Sequence, residues 1–210
     1  MVYKKQNHKL NDEGSAIVTV LIVVLFVSIL ATTVLYLAGR NVKMKATDRH
    51  TKESFYETEK TMEEIKAGLV RMASLSYEDA YKALLRNYSG YDADGRKIFI
   101  KQAFVDSFNE RWTAPDPDMS TKDLATDASA VSSEGVLTDI DPLTGVLFVR
   151  GVEVKKTVND YTTIIRTDFE IVCPEISFDV GTDTSVPDTD GGDTSYNIFD
   201  YVVYVNWEKR

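Results

Sequence analysis

Four aspartates, Asp183, Asp188, Asp190 and Asp193, fall within the glycine-containing stretch VGTDTSVPDTDGGDTSYN. Carboxylate oxygens on a loop free to wrap an ion are what Ca2+ takes as ligands, so these four form a candidate calcium site. The spacing departs from an EF-hand loop, which closes with a glutamate at its twelfth position. The plainer reading is a solvated acidic loop. DADG (Asp92–Gly95) is a weaker case of the same kind. Other chemistry is sparse. The two histidines, His8 and His50, flank a long apolar run, so neither a Ser–His triad nor a histidine-based zinc site is available further along the chain. Cys173 is the one cysteine, so no disulfide forms within the chain. It closes an apolar run just before Pro174 and reads as a buried, inert thiol. No glycine-rich phosphate loop joins a strand to a helix, and nothing selects a carboxylate pair for hydrolysis. The expectation is a chain that is not an enzyme, with Ca2+ as the only candidate ion.

What must position these residues is dominated by Ser15–Gly39, 25 residues without a charge. A bilayer-spanning helix needs about 20 such residues, and this run would be roughly 37 Å long. Residues 1–14 are short and polar, with Lys4, Lys5 and Lys9 against Asp12 and Glu13. They read as a cytoplasmic leader, because the apolar run is too long for an ordinary secretory signal. The chain has 210 residues and a net charge of −9, all of the acidic excess lying beyond the leader. An acidic domain lacks the clustered cations that nucleic acid requires, so no nucleic-acid partner is expected.

Residues 40–74 hold no proline and a single glycine, Gly68. Phe55, Met62 and Leu69 recur every seven positions, each followed after three by Thr58, Ile65 and Met72. That stripe predicts a helix continuing from the membrane to about residue 73. Residues 75–113 are expected to form short helices. The first would start near Ser76, with Glu78 and Asp79 in its first turn. The second would be lined by Ile98, Ala103, Phe104, Phe108 and Trp112. Residues 114–134, punctuated by Pro115 and Pro117, read as a loop. Residues 135–210 read as an antiparallel β domain with candidate strands Gly135–Asp139, Gly145–Val154, Tyr161–Val172 and Ile198–Trp207. Alternation places Tyr161, Thr163, Ile165, Thr167, Phe169 and Ile171 on one face. In the last strand it places Phe199, Tyr201, Val203, Val205 and Trp207 together. DPLTG and VND suit hairpin connections. The fold class is therefore α+β: a long N-terminal transmembrane and amphipathic helix packed on an antiparallel sheet of about four strands.

The junction DEG-SAIVTVLIVVLFVSIL, a short leader ending in Gly14 and abutting the apolar run, resembles a type IV prepilin. Phe55, Tyr56 and Glu59 match the aromatic pair and glutamate common in the second half of a pilin's first helix. The resemblance implies cleavage after Gly14 by a prepilin peptidase and N-methylation of Ser15. It implies partners of two kinds, the peptidase and other pilin or pseudopilin subunits, with membrane lipid around the helix before assembly. It also implies a pilin-like fold, a single-pass membrane protein with an extracytoplasmic domain, and a cell-surface filament. Most pilins carry glutamate at the fifth mature position, and here Thr19 stands there. That departure resembles minor pilins and tip pseudopilins. Charge alone points the other way on topology. Arg40, Lys43, Lys45, Arg49 and Lys52 outnumber the leader's three lysines and would place the domain inside. Two other readings stand beside this one: an unprocessed, membrane-anchored extracytoplasmic binding domain, and an anchored hydrolase acting through carboxylates.

If the Asp183–Asp193 loop binds Ca2+, millimolar Ca2+ raises Tm by about 2–5 °C, from mass action on the folded state. Thermal melts with Ca2+ and with chelator check this, and identical curves exclude the site.

Overall fold

The computed structural model describes residues 12–113, 119–175 and 201–210, with side chains from residue 16 onward. The chain divides after Arg49 into two compact units. Helix α1 runs Asp12–Arg86. A 3-10 turn at Tyr88–Gly90 leads to α2 (Ala93–Thr113), a single-turn α3 (Thr121–Leu124) and a second 3-10 turn at Ala128–Ala130. The strands are β1 (Val131–Ser133), β2 (Val136–Asp141), β3 (Val146–Val158), β4 (Tyr161–Val172) and β5 (Val202–Lys209). All pairings are antiparallel, in the order β1-β3-β4-β5, with β2 also on β3. Because β3 meets β4 along its other edge, β1 and β2 share one edge of β3 in succession.

The sheet thus has five strands rather than four. The fifth, β1, lies with α3 inside the segment expected to be a plain loop. A second difference is the length of α1. No helix begins at Ser76: α1 passes through it and continues to Arg86. Nothing between Gly68 and the next glycine, Gly90, interrupts the backbone, and Ser76 itself is fully buried. Its Oγ has no hydrogen-bond partner. The one independent helix in 75–113 is α2, whose N-terminus is capped by Asp92. The Asp92 carboxylate accepts the Gly95 N–H at 2.8 Å. This explains DADG as a helix start.

In the unit from His50 onward, the expected stripe is the buried face of the helix. Thr58, Met62, Ile65, Leu69 and Met72 are buried, and Phe55 packs at their edge. They join Leu147, Val149, Ile165, Phe169 and Ile171 of the sheet in a single core. From α2 come Ile100, Phe104, Phe108 and Trp112, spaced by four. Ile98 was expected on that face but is 47% exposed, and Ile100 takes its place. Small polar side chains start the packed face of α1. Ser54 donates to the Lys156 carbonyl or to Thr163 Oγ1, each at 3.1 Å, and Thr58 donates to the Ser54 carbonyl. Both hydroxyls are thereby satisfied in a dry setting.

Strand β4 shows the expected alternation, with Thr163, Ile165, Thr167, Phe169 and Ile171 inward. Strand β5 shows the opposite phase. Val202 and Tyr204 face the core, paired with Ile171 and Phe169, while Val203 and Trp207 are exposed. The β3–β4 hairpin turns through Asn159 and Asp160, both at positive φ (48° and 70°), the mark of a type I′ turn.

Besides a register shift in β1 between Val131 and Ser133, three irregularities at positive-φ residues bend the sheet. Register shifts occur in β3 between Val149 and Val152, at Gly151 (φ 77°), and in β5 beside Asn206 (φ 57°). A third lies in β2 at Asp139 (φ 50°). Asp168 of β4 ties the first two together. Its carboxylate accepts the Gly151 N–H at 2.8 Å and the Asn206 side-chain amide at 2.9 Å. Arg150 links this site to Asp139 at 2.7 Å. Burial pushes the Asp168 pKa up, but the Asn206 and Gly151 hydrogen bonds and the charges of Arg150 and Arg166 outweigh it. The net position is below the ordinary 3.8.

Replacing Asp168 with alanine strands two donors and is expected to cost about 1–3 kcal/mol at pH 7. A depressed folded-state pKa makes this stabilisation complete above the ordinary carboxylate value. It is lost as pH falls through the folded value, so the gap to wild type closes in acid. Urea unfolding of the detergent-solubilised chain across pH checks both. A gap at pH 7 below about 0.5 kcal/mol, or one that persists unchanged in acid, contradicts the assignment.

Candidate functional site

The first unit presents the feature with the clearest physical meaning. From Ile17 to Leu37 every large apolar side chain is exposed, ranging from 49% for Leu30 to 71% for Leu35. Among the described residues this is the one helix long and apolar enough to cross a membrane. Its polar side chains are satisfied from within. Ser28 donates to the Val24 carbonyl at 2.7 Å and Thr33 to that of Ile29 at 2.8 Å. Thr32 reaches the carbonyls of Ser28 and Ile29 at 3.0 and 2.9 Å. Internal satisfaction is what a hydrocarbon surrounding demands. At the end of the run Tyr36 carries the Arg40 guanidinium 5.9 Å from its ring centroid. An aromatic ring beside a cation suits the level where hydrocarbon gives way to headgroups.

The backbone of Gly14 and Ser15 lies in the first turn of α1, and Thr19 is exposed one turn further on. The three therefore lie close together at the start of the apolar run. Asp183, Asp188, Asp190 and Asp193 lie outside the described residues. Among those described, no group of three or more His, Cys, Asp or Glu side chains is arranged to hold a metal.

The second unit places its remaining reactive groups in structural settings. His50 Nδ1 lies 3.0 Å from the Asn159 side-chain amide and its ring stacks on Tyr161. This joins the helix to the β3–β4 turn. Cys173 is buried, and burial pushes its thiol up to about 12. Its backbone N–H donates to the Gly145 carbonyl at 2.8 Å.

Two ion pairs and one hydrogen bond escaped the sequence reading because their partners are far apart in the chain. Asp79 pairs with Arg111 between α1 and α2, and that hydrogen bond lowers its pKa. Asp127 pairs with Lys156 and accepts from Ser129, which lowers it to about 2. Tyr204 donates to Glu63 at 2.6 Å, and burial together with that carboxylate raises the phenol. The first clamps helix to helix, the second loop to sheet and the third helix to strand. An open groove of about 640 Å3 lies between α1, α2 and α3, lined by Gly68, Met72, Leu75, Met119 and Leu124 with Arg71 and Arg111 beside them. Alanine at Gly68 would set its Cβ 2.9 Å from Leu124, so this glycine lets α3 close against α1.

Comparison with protein-family models, with curated proteins and with solved structures finds no match to this chain.

At pH 8 a thiol titrating near 12 is almost wholly protonated, and only the thiolate reacts. Cys173 in the folded protein is therefore expected to react with a thiol reagent at least about 100-fold more slowly than in denaturant. Absorbance-monitored labelling measures the ratio, and similar rates in the two conditions would refute the buried setting.

Proposed function

We propose that the chain is a minor pilin-like or pseudopilin-like structural subunit of a type IV pilus, competence or type II-like secretion filament. The observation that carries this reading lies in α1. An exposed, uncharged run starts directly after Gly14, and from Ser54 the helix supplies a buried face to an antiparallel sheet. A helix of that kind has two uses. Its first part dissolves in lipid or in a bundle of like helices, and its second part holds a water-soluble domain.

In this reading a prepilin peptidase cuts between Gly14 and Ser15. Glycine at the boundary leaves the backbone accessible, and the cut removes Lys4, Lys5 and Lys9. A helix freed of those charges exchanges lipid for protein at lower cost, since a lysine deep in an apolar setting is expensive. Ser15 becomes the new N-terminus and receives the methyl group. Thr19 offers no carboxylate to pair with a neighbour's amine, which suits a minor or tip position. The β domain sits outside the cytoplasmic membrane, and the work is mechanical.

The test is the mature N-terminus. Mass spectrometry of the chain co-expressed with its prepilin peptidase is expected to find Ser15 first, methylated. A chain still beginning at Met1 beside an active peptidase would sink the filament reading and leave an anchored extracytoplasmic domain.

A further inference from the structure

We propose that Arg40, Lys43, Lys45 and Arg49 form a collar that binds the headgroups of anionic phospholipids where the apolar run leaves the bilayer. The inference rests on the reading of Ser15–Gly39 as a membrane span and adds the class of lipid around it.

All four side chains are exposed, and none forms an ion pair with a described carboxylate. Asp48 is the only acid between Arg40 and Arg49. A concentrated positive charge therefore stands at one point of a chain whose net charge is −9.

Depth and direction single out the partner. Headgroups occupy roughly 5–7 Å on each side of the hydrocarbon. Counted from Gly39, the last residue of the uncharged run, at a rise of about 1.5 Å per residue, Arg40 and Lys43 fall inside that layer and Lys45 about 2 Å beyond it. Arg49 stands about 14 Å beyond Arg40 along the helix, and its long side chain brings it within a Debye length of the surface. Tyr36, one turn earlier with the Arg40 guanidinium 5.9 Å from its ring centroid, stands just on the hydrocarbon side of that boundary. At about 100° per residue, Arg40 and Lys43 project to one side of the helix and Lys45 and Arg49 to the other. A partner helix reads a stripe; lipid surrounds the helix and meets a collar. This spread disfavours the acidic helix segment of a second copy as the occupant and suits a ring of phosphates.

Near an anionic surface each Lys or Arg strengthens binding about fivefold. The test reconstitutes the full chain into nanodiscs of equal phosphatidylglycerol and phosphatidylcholine and counts retained lipids by native mass spectrometry. Wild type is expected to retain phosphatidylglycerol at least about fivefold over phosphatidylcholine. The R40Q/K43Q/K45Q/R49Q variant should insert equally well and lose the preference, while a K97Q/K101Q control keeps it. Raising salt toward 1 M should erase the preference of wild type without any substitution. Insertion with no preference overturns the collar and leaves the span intact. Failure to insert in any lipid overturns the span reading together with the collar. A variant that loses crosslinking between copies but keeps its lipids assigns the four cations to a second copy and also overturns the proposal.

Discussion

The carboxylate of Asp168 governs how the sheet can be used. It sits on the strand between two bulged neighbours and accepts a hydrogen bond from each bulge. A bulge inserts one residue and so reverses which side chains face inward beyond it. In β3 the buried residues are Leu147 and Val149 before Gly151, and Val152 and Val154 after it. The inward face stays apolar only because Gly151 adopts a left-handed conformation at that step. In β5 the bulge at Asn206 does similar work, placing Lys209 opposite Ile165. The aliphatic stem of Lys209 then lies over the edge of the core, its ammonium 4.0 Å from the Phe55 ring centroid. Without these corrections the sheet would present a broken surface, and the helices would have nothing continuous to cover.

That covering is done by helices with little polar decoration on their inner faces. Phe104 and Phe108 from α2 and Met62, Ile65 and Leu69 from α1 are fully buried. Beside the buried hydroxyls of Thr58 and Ser76, polar groups enter at the margins: Ser54 at the start of the packed face, Tyr204 with Glu63 at the side, Asp79 with Arg111 between the helices. Gly135 adds a close contact at the sheet edge. A Cβ there would meet Val149 at 2.4 Å and Val152 at 2.6 Å, while its N–H donates to Thr121 at 3.1 Å. The one-turn helix α3 is thereby held against the strand that follows it.

Much of this was legible in the sequence wherever the signal was local and repeated. The seven-residue stripe gave the buried face of the helix, period two gave the inner face of β4, and VND gave the hairpin turn. The failures share a cause in long-range pairing. Val202, Val203, Tyr204 and Val205 are all apolar, so alternation could not choose between the two faces of β5. Pairing of Tyr204 with Phe169 made the choice. Ser76 looked like a cap because serine often is one, and tertiary burial overrode that preference. Strand β1 has three residues, too short to show a period, and exists because β3 offers it an edge. Asp168 carried no sequence signal, since its partners are 17 and 38 residues away.

The hydroxyls of the apolar run have a consequence for how the chain can change surroundings. Ser28, Thr32 and Thr33 spend their donors on carbonyls one turn back in the same helix. No neighbour is required to complete them, and none has to be given up when the neighbour changes. Contacts of the stretch around these hydroxyls with whatever surrounds it rest on shape and dispersion, which are small atom by atom and recoverable in any close-packed apolar company. Were such a helix moved from one apolar medium to another, these three hydroxyls would have no hydrogen bond to break on departure and none to find on arrival.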